Sequence, residues 1–160
     1  SRLISWFTSA DALRACAKYS DFVSVNYYWA IFYLHNIIPL FFRCVLPAGG
    51  LKRFYKIAGK PLYITEFGFV GKNGYNKNKN PFIYKTYKSQ KHRAKALAKF
   101  LKRVNQNWII GLDIFEFVDQ PANGRDQNDS EDNNFGIISR NGKLYIEFTD
   151  VLNKFFQNFN

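Results

Sequence analysis

Three short apolar runs, separated by stretches of helix length, constrain this chain more than any other feature. They occupy residues 21–28, 61–67 and 108–118. Each is rich in β-branched and aromatic residues and nearly free of charge, which suits parallel strands covered on both faces. The intervening stretches read as helices. Thr8 or Ser9 can cap a helix running through Lys18, with Ala10, Leu13 and Ala17 on one face. Residues 50–58 form a short helical pattern ended by Gly59, with Pro61 beyond. Residues 89–104 are strongly amphipathic, placing Ala94, Leu97, Ala98 and Leu101 inward and Lys91, Lys95, Lys99 and Lys102 outward. A last helix is expected from about Thr149-Asp150 through Phe156. Asn141-Gly142 is the preferred pair for a tight hairpin turn. The predicted order is therefore α-β-α-β-α-β-hairpin-α, an α/β architecture with a parallel sheet.

Composition narrows the function classes. At 160 residues and 47% hydrophobic, one domain with a packed core is expected. Two cysteines, Cys16 and Cys44, exclude a disulfide-rich scaffold and a four-thiolate zinc site. The longest apolar stretch, residues 31–46, is broken by His35, Asn36, Pro39 and Arg43, so no membrane span is expected. The chain has no Met, so Ser1 is not expected to be a native start, and a leader could have preceded it. Net charge is +11 and unevenly spread: residues 1–110 carry 19 Lys/Arg against 3 acids, and residues 111–160 carry 4 against 9. A basic surface raises nucleic acid as a partner. Against that, Lys, Asn, Phe, Ile and Tyr all have AT-rich codons, and no motif of a known nucleic-acid module is present.

Function in parallel α/β sheets gathers at the C-terminal strand ends. The first run ends in Asn26, Tyr27 and Tyr28, the second in Thr65-Glu66-Phe67-Gly68, and the third around Asp113, Glu116, Asp119 and Gln120. Glu66 is the only acid between Asp21 and Asp113. A carboxylate in so apolar a run needs donors or cations around it, and Asn26 and Tyr28 on the preceding strand could supply them. Physics alone leaves two readings: a reactive carboxylate, or a structural one tied to a helix or an Arg. Other chemistries are weaker. His35 and His92 are isolated, and no metal-spaced His/Cys/Asp set exists. Gly49-Gly50 reads as a capping turn rather than an anion cradle. Residues 126–132 are acidic but lack the spacing of a calcium loop. Two long loops, 71–88 and 119–134, are mobile surface by default, though loops of this length often carry function.

Together these residues resemble the C-terminal part of a clan A glycoside hydrolase. The resemblance is carried by residues 21–28, by Gly59-Lys-Pro-Leu-Tyr-Ile-Thr-Glu-Phe-Gly68, by Gly111 through Asp119-Gln120-Pro121, and by Glu131-Asp-Asn-Asn-Phe-Gly-Ile137. The last two are most similar to agarase-like and β-galactosidase-like members. The resemblance implies a retaining (β/α)8-barrel enzyme, with residues 1–160 forming a single C-terminal portion that carries strands six to eight, their helices and a C-terminal β-hairpin. Such a barrel takes about 250 residues, so the apolar content is expected to describe part of a larger core.

The same resemblance implies roles. Glu66 matches the nucleophile at the end of the seventh strand, and Tyr28 matches the tyrosine that keeps it ionised and aimed. Asn26, Trp29, Asp119, Gln120, Arg125, Glu131 and Asn134 would contact substrate or brace the loop above the eighth strand. Retention requires a second carboxylate about 5–5.5 Å away to protonate the leaving oxygen. That acid/base belongs at the end of the fourth strand, so the isolated chain is expected to be inactive and to need the missing barrel portion or another chain. Where relatives carry a Trp beneath the sugar this sequence has Ile114, and Asp113 replaces the preceding His. A degenerate, non-catalytic carbohydrate-binding protein is therefore the alternative, and a basic nucleic-acid-binding domain the third reading. The expected partner is a carbohydrate, no cofactor is expected, and secretion rests on analogy alone.

Overall fold

The computed structural model describes residues 10–28, 50–72, 74, 85–124 and 131–158. Helices are α1 (Ala10–Tyr19), α2 (Gly50–Ala58), α3 (Gln90–Val104) and α4 (Ile146–Gln157). Strands are β1 (Val23–Asn26), β2 (Leu62–Phe67), β3 (Val70–Gly71), β4 (Thr86–Tyr87) and β5 (Ile109–Ile114). The fold is α/β. A three-stranded sheet has the order β1-β2-β5 with β1 and β2 parallel, and β3 and β4 form a second, two-stranded parallel sheet. The chain divides into two compact units. One holds α1, β1, α2, β2 and Gln106–Asp113; the other holds Gly68–Asn105 and the described residues from Ile114 onward.

In the first unit α1 and α2 pack together. Leu13 and Ala17 form the buried face of α1, with Asp11 in its first turn and Lys18 in its last, each of the sign the helix dipole favours. The cap expected at Thr8 or Ser9 lies outside the described residues. Gly59 ends α2 at φ 63°, donating its N–H to the Tyr55 carbonyl at 2.8 Å. That left-handed backbone is what glycine supplies past a helix end. Tyr55 then stacks on Trp108 with ring centroids 5.1 Å apart.

The strands are covered less completely than their apolar runs suggest. Val23, Val25, Leu62, Ile64 and Ile109 are buried, while Ser24 is exposed and Ile110 is 49% exposed. This alternation is that of strands with one covered face among the described residues.

The second unit is built on α3 and α4, which pack against each other. Leu97, Phe100, Leu101, Val104, Phe135 and Phe148 are its core. Ser89 caps α3, accepting the His92 N–H at 3.3 Å. Ala98, expected inward, is exposed; the inward arc instead includes Arg93, fully buried.

Three further expectations are corrected here. β5 stops at Ile114, short of residue 118, because the following segment turns to meet residues 137–138. Ile137 donates to the carbonyls of Glu116 and Phe117, and Val118 and Ile138 form an isolated bridge. The expected C-terminal β-hairpin reduces to a turn with one antiparallel bridge, Ile138 to Leu144. Gly142 sits at φ 80°, its N–H bonded to the Ser139 carbonyl, and the Ser139 N–H bonds Lys143 O at 2.8 Å. This is a three-residue loop with glycine in the left-handed position, rather than a two-residue Asn-Gly turn. Finally, α4 begins at Ile146, ahead of Thr149, whose N–H and hydroxyl both bond the Tyr145 carbonyl. Thr149 thus lies within the first turn and is not its cap. No helix among the described residues is long and apolar enough to cross a membrane.

Candidate functional site

The first unit brings Glu66 to the C-terminal end of β2, the central strand. Leu62 and Ile64 are fully buried, so strict alternation would carry Glu66 onto the same apolar face. It does not go there. Val25 pairs with Ile64 and Asn26 with Glu66, a register shift that leaves Thr65 as an extra residue. Thr65 and Glu66 are both half-buried before Phe67 is again fully buried. A one-residue irregularity re-aims the side chains that follow it; here it takes the carboxylate out of the apolar layer, where it would lack donors.

Two neighbours on the β1 side fix this strand end. The Tyr28 hydroxyl donates to Glu66 Oε2 at 2.8 Å, and Tyr28 itself is buried. The Thr65 hydroxyl donates to Asn26 Oδ1 at 2.7 Å, and the Tyr27 N–H to the Glu66 carbonyl at 2.7 Å. Sequence reasoning chose Asn26, Tyr28 and Glu66 from their strand ends. Glu66 meets Tyr28, whereas Asn26 holds Thr65.

Sequence reasoning gave no role to Tyr63. Its hydroxyl donates to Asp113 Oδ1 at 2.8 Å, joining β2 to β5. The ring crosses directly over Gly111, where a Cβ would come within 2.2 Å of the Tyr63 Cε2. Only glycine leaves that passage open. The bond to Asp113, with a smaller contribution from burial and from the Asp113 charge, raises the Tyr63 phenol above its usual 10.0. A raised folded value means that this pair's contribution to stability is present below pH 10 and lost as pH climbs through the folded value. Ultraviolet titration of the tyrosinates should show that Asp113→Asn returns a late-ionising group to the ordinary range.

The second unit gathers the other expected residues. Asp119, Gln120, Asp132, Asn133 and Asn134 are all buried, so the two ends of the 119–134 segment are not mobile surface. Asp119 accepts the Gly136 N–H at 2.8 Å and the Tyr145 hydroxyl at 2.5 Å. Gln120 donates to Glu131 Oε2 at 3.1 Å and accepts the Asn133 N–H at 2.8 Å. Asn134 donates to the Gly71 carbonyl at 3.0 Å, and the Gly71 N–H returns to the Asn134 carbonyl at 3.0 Å. Around Gly136 a Cβ would strike the Ile138 carbonyl oxygen and the Asp119 nitrogen, backbone on both sides. Trp29 and Arg125 lie outside the described residues, as does most of the 71–88 loop.

Arg93 is the residue most thoroughly missed. Its guanidinium donates to the carbonyls of Phe69 (2.7 Å) and Phe135 and to Gln90 Oε1 (3.2 Å), and stacks 3.8 Å over the Phe148 ring. Burial pushes it down to about 10, with Asp119 and Tyr145 acting in the opposite direction. A signal existed, because Arg93 shares the helical arc of Leu97, Phe100 and Val104. Among the described residues no group of three or more His, Cys, Asp or Glu could hold a metal ion.

No protein-family model matches this sequence, and no curated protein matches it. Solved structures do. An agarase matches with a TM-score of 0.74 and 24% identity over 96% of this chain and 21% of its own. An exo-β-agarase matches with a TM-score of 0.71 and 24% identity over 93% and 18%. A β-D-glucuronidase of Dictyoglomus thermophilum matches with a TM-score of 0.58 and 17% identity over 88% and 23%. The chain spans about a fifth of the length of these proteins, and in fold it is the counterpart of that part of a glycoside hydrolase.

Proposed function

We propose that this chain is part of a retaining (β/α)8-barrel β-glycosidase, with Glu66 as its nucleophile. The observation that carries the reading is the Tyr28–Glu66 hydrogen bond at the end of the central strand of a parallel sheet. A displacement at an anomeric carbon needs a carboxylate held in one rotamer with an oxygen left to attack. On this reading β1, β2 and β5 are the sixth to eighth barrel strands, and residues 1–160 form one C-terminal portion. Tyr28 positions the nucleophile. Asn26, Trp29, Asp119, Gln120, Arg125, Glu131 and Asn134 contact or frame the sugar. The acid/base carboxylate comes from polypeptide outside these 160 residues. The fold shared with agarases and a β-D-glucuronidase supports a carbohydrate substrate.

The test is covalent labelling by 2-deoxy-2-fluoro-glycosyl fluorides of galactose and glucuronic acid. A Glu66 oxygen attacks C1, fluoride departs without needing a proton, and a glycosyl ester remains. Peptide mapping should place one added sugar on Glu66. A second reading, carbohydrate binding without turnover, is favoured by Ile114 and Asp113 at the end of β5, where Asp113 is engaged by Tyr63. Glycan binding with no labelling by either reagent would favour it over the first.

A further inference from the structure

The exposed side of α3 carries a charge pattern that packing does not require. Lys91, Lys95, Lys99 and Lys102 are all exposed and lie at helical spacing on one face. Ala98, also exposed, borders this row. Like charges four residues apart oppose helix formation. Surface helices usually offset this with interspersed acids, but α3 contains none. Lys91, Lys95, Lys99 and Lys102 make no ion pair among the described residues.

The row runs into a groove. A cavity of about 700 Å³ opens at the N-terminal end of α3, and Lys91 belongs to both. Its walls include Ser89, Asn141, Lys143, Ile146 and Glu147. Lys143 is exposed and adds a fifth cation, while Ile146 is 62% exposed and offers an apolar wall.

We infer that the lysine row of α3 and this groove form a binding track for a linear anionic polysaccharide bearing sulphate esters or uronate carboxylates. Successive lysines rise about 6 Å along the helix, a spacing that lets one extended polyanion meet several of them. The track presents ammonium groups, which bind anions as point charges. No aromatic side chain stands in the row on which bases could stack, which disfavours single-stranded nucleic acid. Glu147 and Asn141 in the groove suit sugar hydroxyls. The choice of glycan over other polyanions rests on the carbohydrate reading given above; the track itself uses none of the residues assigned to catalysis.

The test measures equilibrium binding of the full chain to polygalacturonate, carrageenan, an uncharged galactan, and single- and double-stranded DNA over a salt series. The two anionic glycans should bind with affinity falling steeply as salt rises, and the uncharged galactan should show no salt-dependent binding. Lys91→Glu, Lys95→Glu and Lys143→Glu combined should weaken glycan binding by about tenfold or more. An equal charge change on α1 and α2, through Lys18→Glu, Lys52→Glu and Lys56→Glu, should alter it by less than about twofold. The two readings fail separately: salt-dependent glycan binding with no labelling at Glu66 overturns the nucleophile assignment alone, and labelling at Glu66 with no salt-dependent glycan binding overturns the track alone. Equal losses in both triple variants would overturn the track, as would DNA binding as tight as the glycans or no anionic glycan bound at low salt.

Discussion

Glu66→Gln is expected to abolish covalent labelling by the 2-fluoro glycosyl fluorides and, in a complete enzyme, to lower turnover by about 10⁴-fold or more. The amide is nearly isosteric and can still accept the Tyr28 hydroxyl bond of 2.8 Å, so the strand end should keep its shape. What disappears is the anionic oxygen that attacks the anomeric carbon. Tyr28→Phe probes the other half of the pair. Hydrogen bonds to charged groups are worth about 1.5–3 kcal/mol, so labelling by the variant should slow by about 10- to 100-fold without being lost. Rates are read by intact-mass spectrometry over time. If Glu66→Gln labels like the parent chain, the ester forms elsewhere and Glu66 is a structural carboxylate.

Arg93→Ala should lower stability by about 3–5 kcal/mol, the range for removing one partner of a buried charged network. The change withdraws donors from the carbonyls of Phe69 and Phe135 and opens space beneath the Phe148 ring. It also leaves the neighbourhood of Asp119 without its nearby cation. The positive charge is not itself the source of stability. Burial lowers the guanidinium from its ordinary range to about 10, so the folded state holds that proton less tightly than the unfolded state. The cost of the buried charge persists at neutral pH and is relieved only as pH rises above about 10. The gain lies in three directed hydrogen bonds and close ring contact. Arg93→Lys keeps the charge but not the fork, and should lose about half as much. Urea unfolding measures the total, and hydrogen exchange at the amides of Ile137 and Ile138 measures it where the clamp acts. A loss below about 1 kcal/mol would mean that the surrounding phenylalanines hold the segment unaided.

Periodicity and punctuation determined most of the element plan without any structure. Strands β1 and β2 and helices α2 and α3 fall where apolar spacing, Gly59 and Ser89 place them, because these signals act between residues near in sequence. The strand-end position of Glu66 was legible for the same reason, as was the choice of Tyr28 beside it. Elements whose limits depend on distant residues were not. β5 ends at Ile114 only because residues 137–138 take up the backbone that follows, and α4 starts early because Tyr145 supplies the carbonyl for its first turn. Arg93 could be placed on the inward arc of α3 by spacing, yet nothing local says which carbonyls it will meet. The aim of Glu66 is a tertiary matter too. Alternation alone sends it into the apolar layer with Leu62 and Ile64. The extra residue at Thr65, held by Asn26 on the neighbouring strand, turns it away. The sequence by itself determined that a lone carboxylate ends the central strand. The pairing of two strands decided where it points, because register is set by hydrogen bonds between residues about forty positions apart.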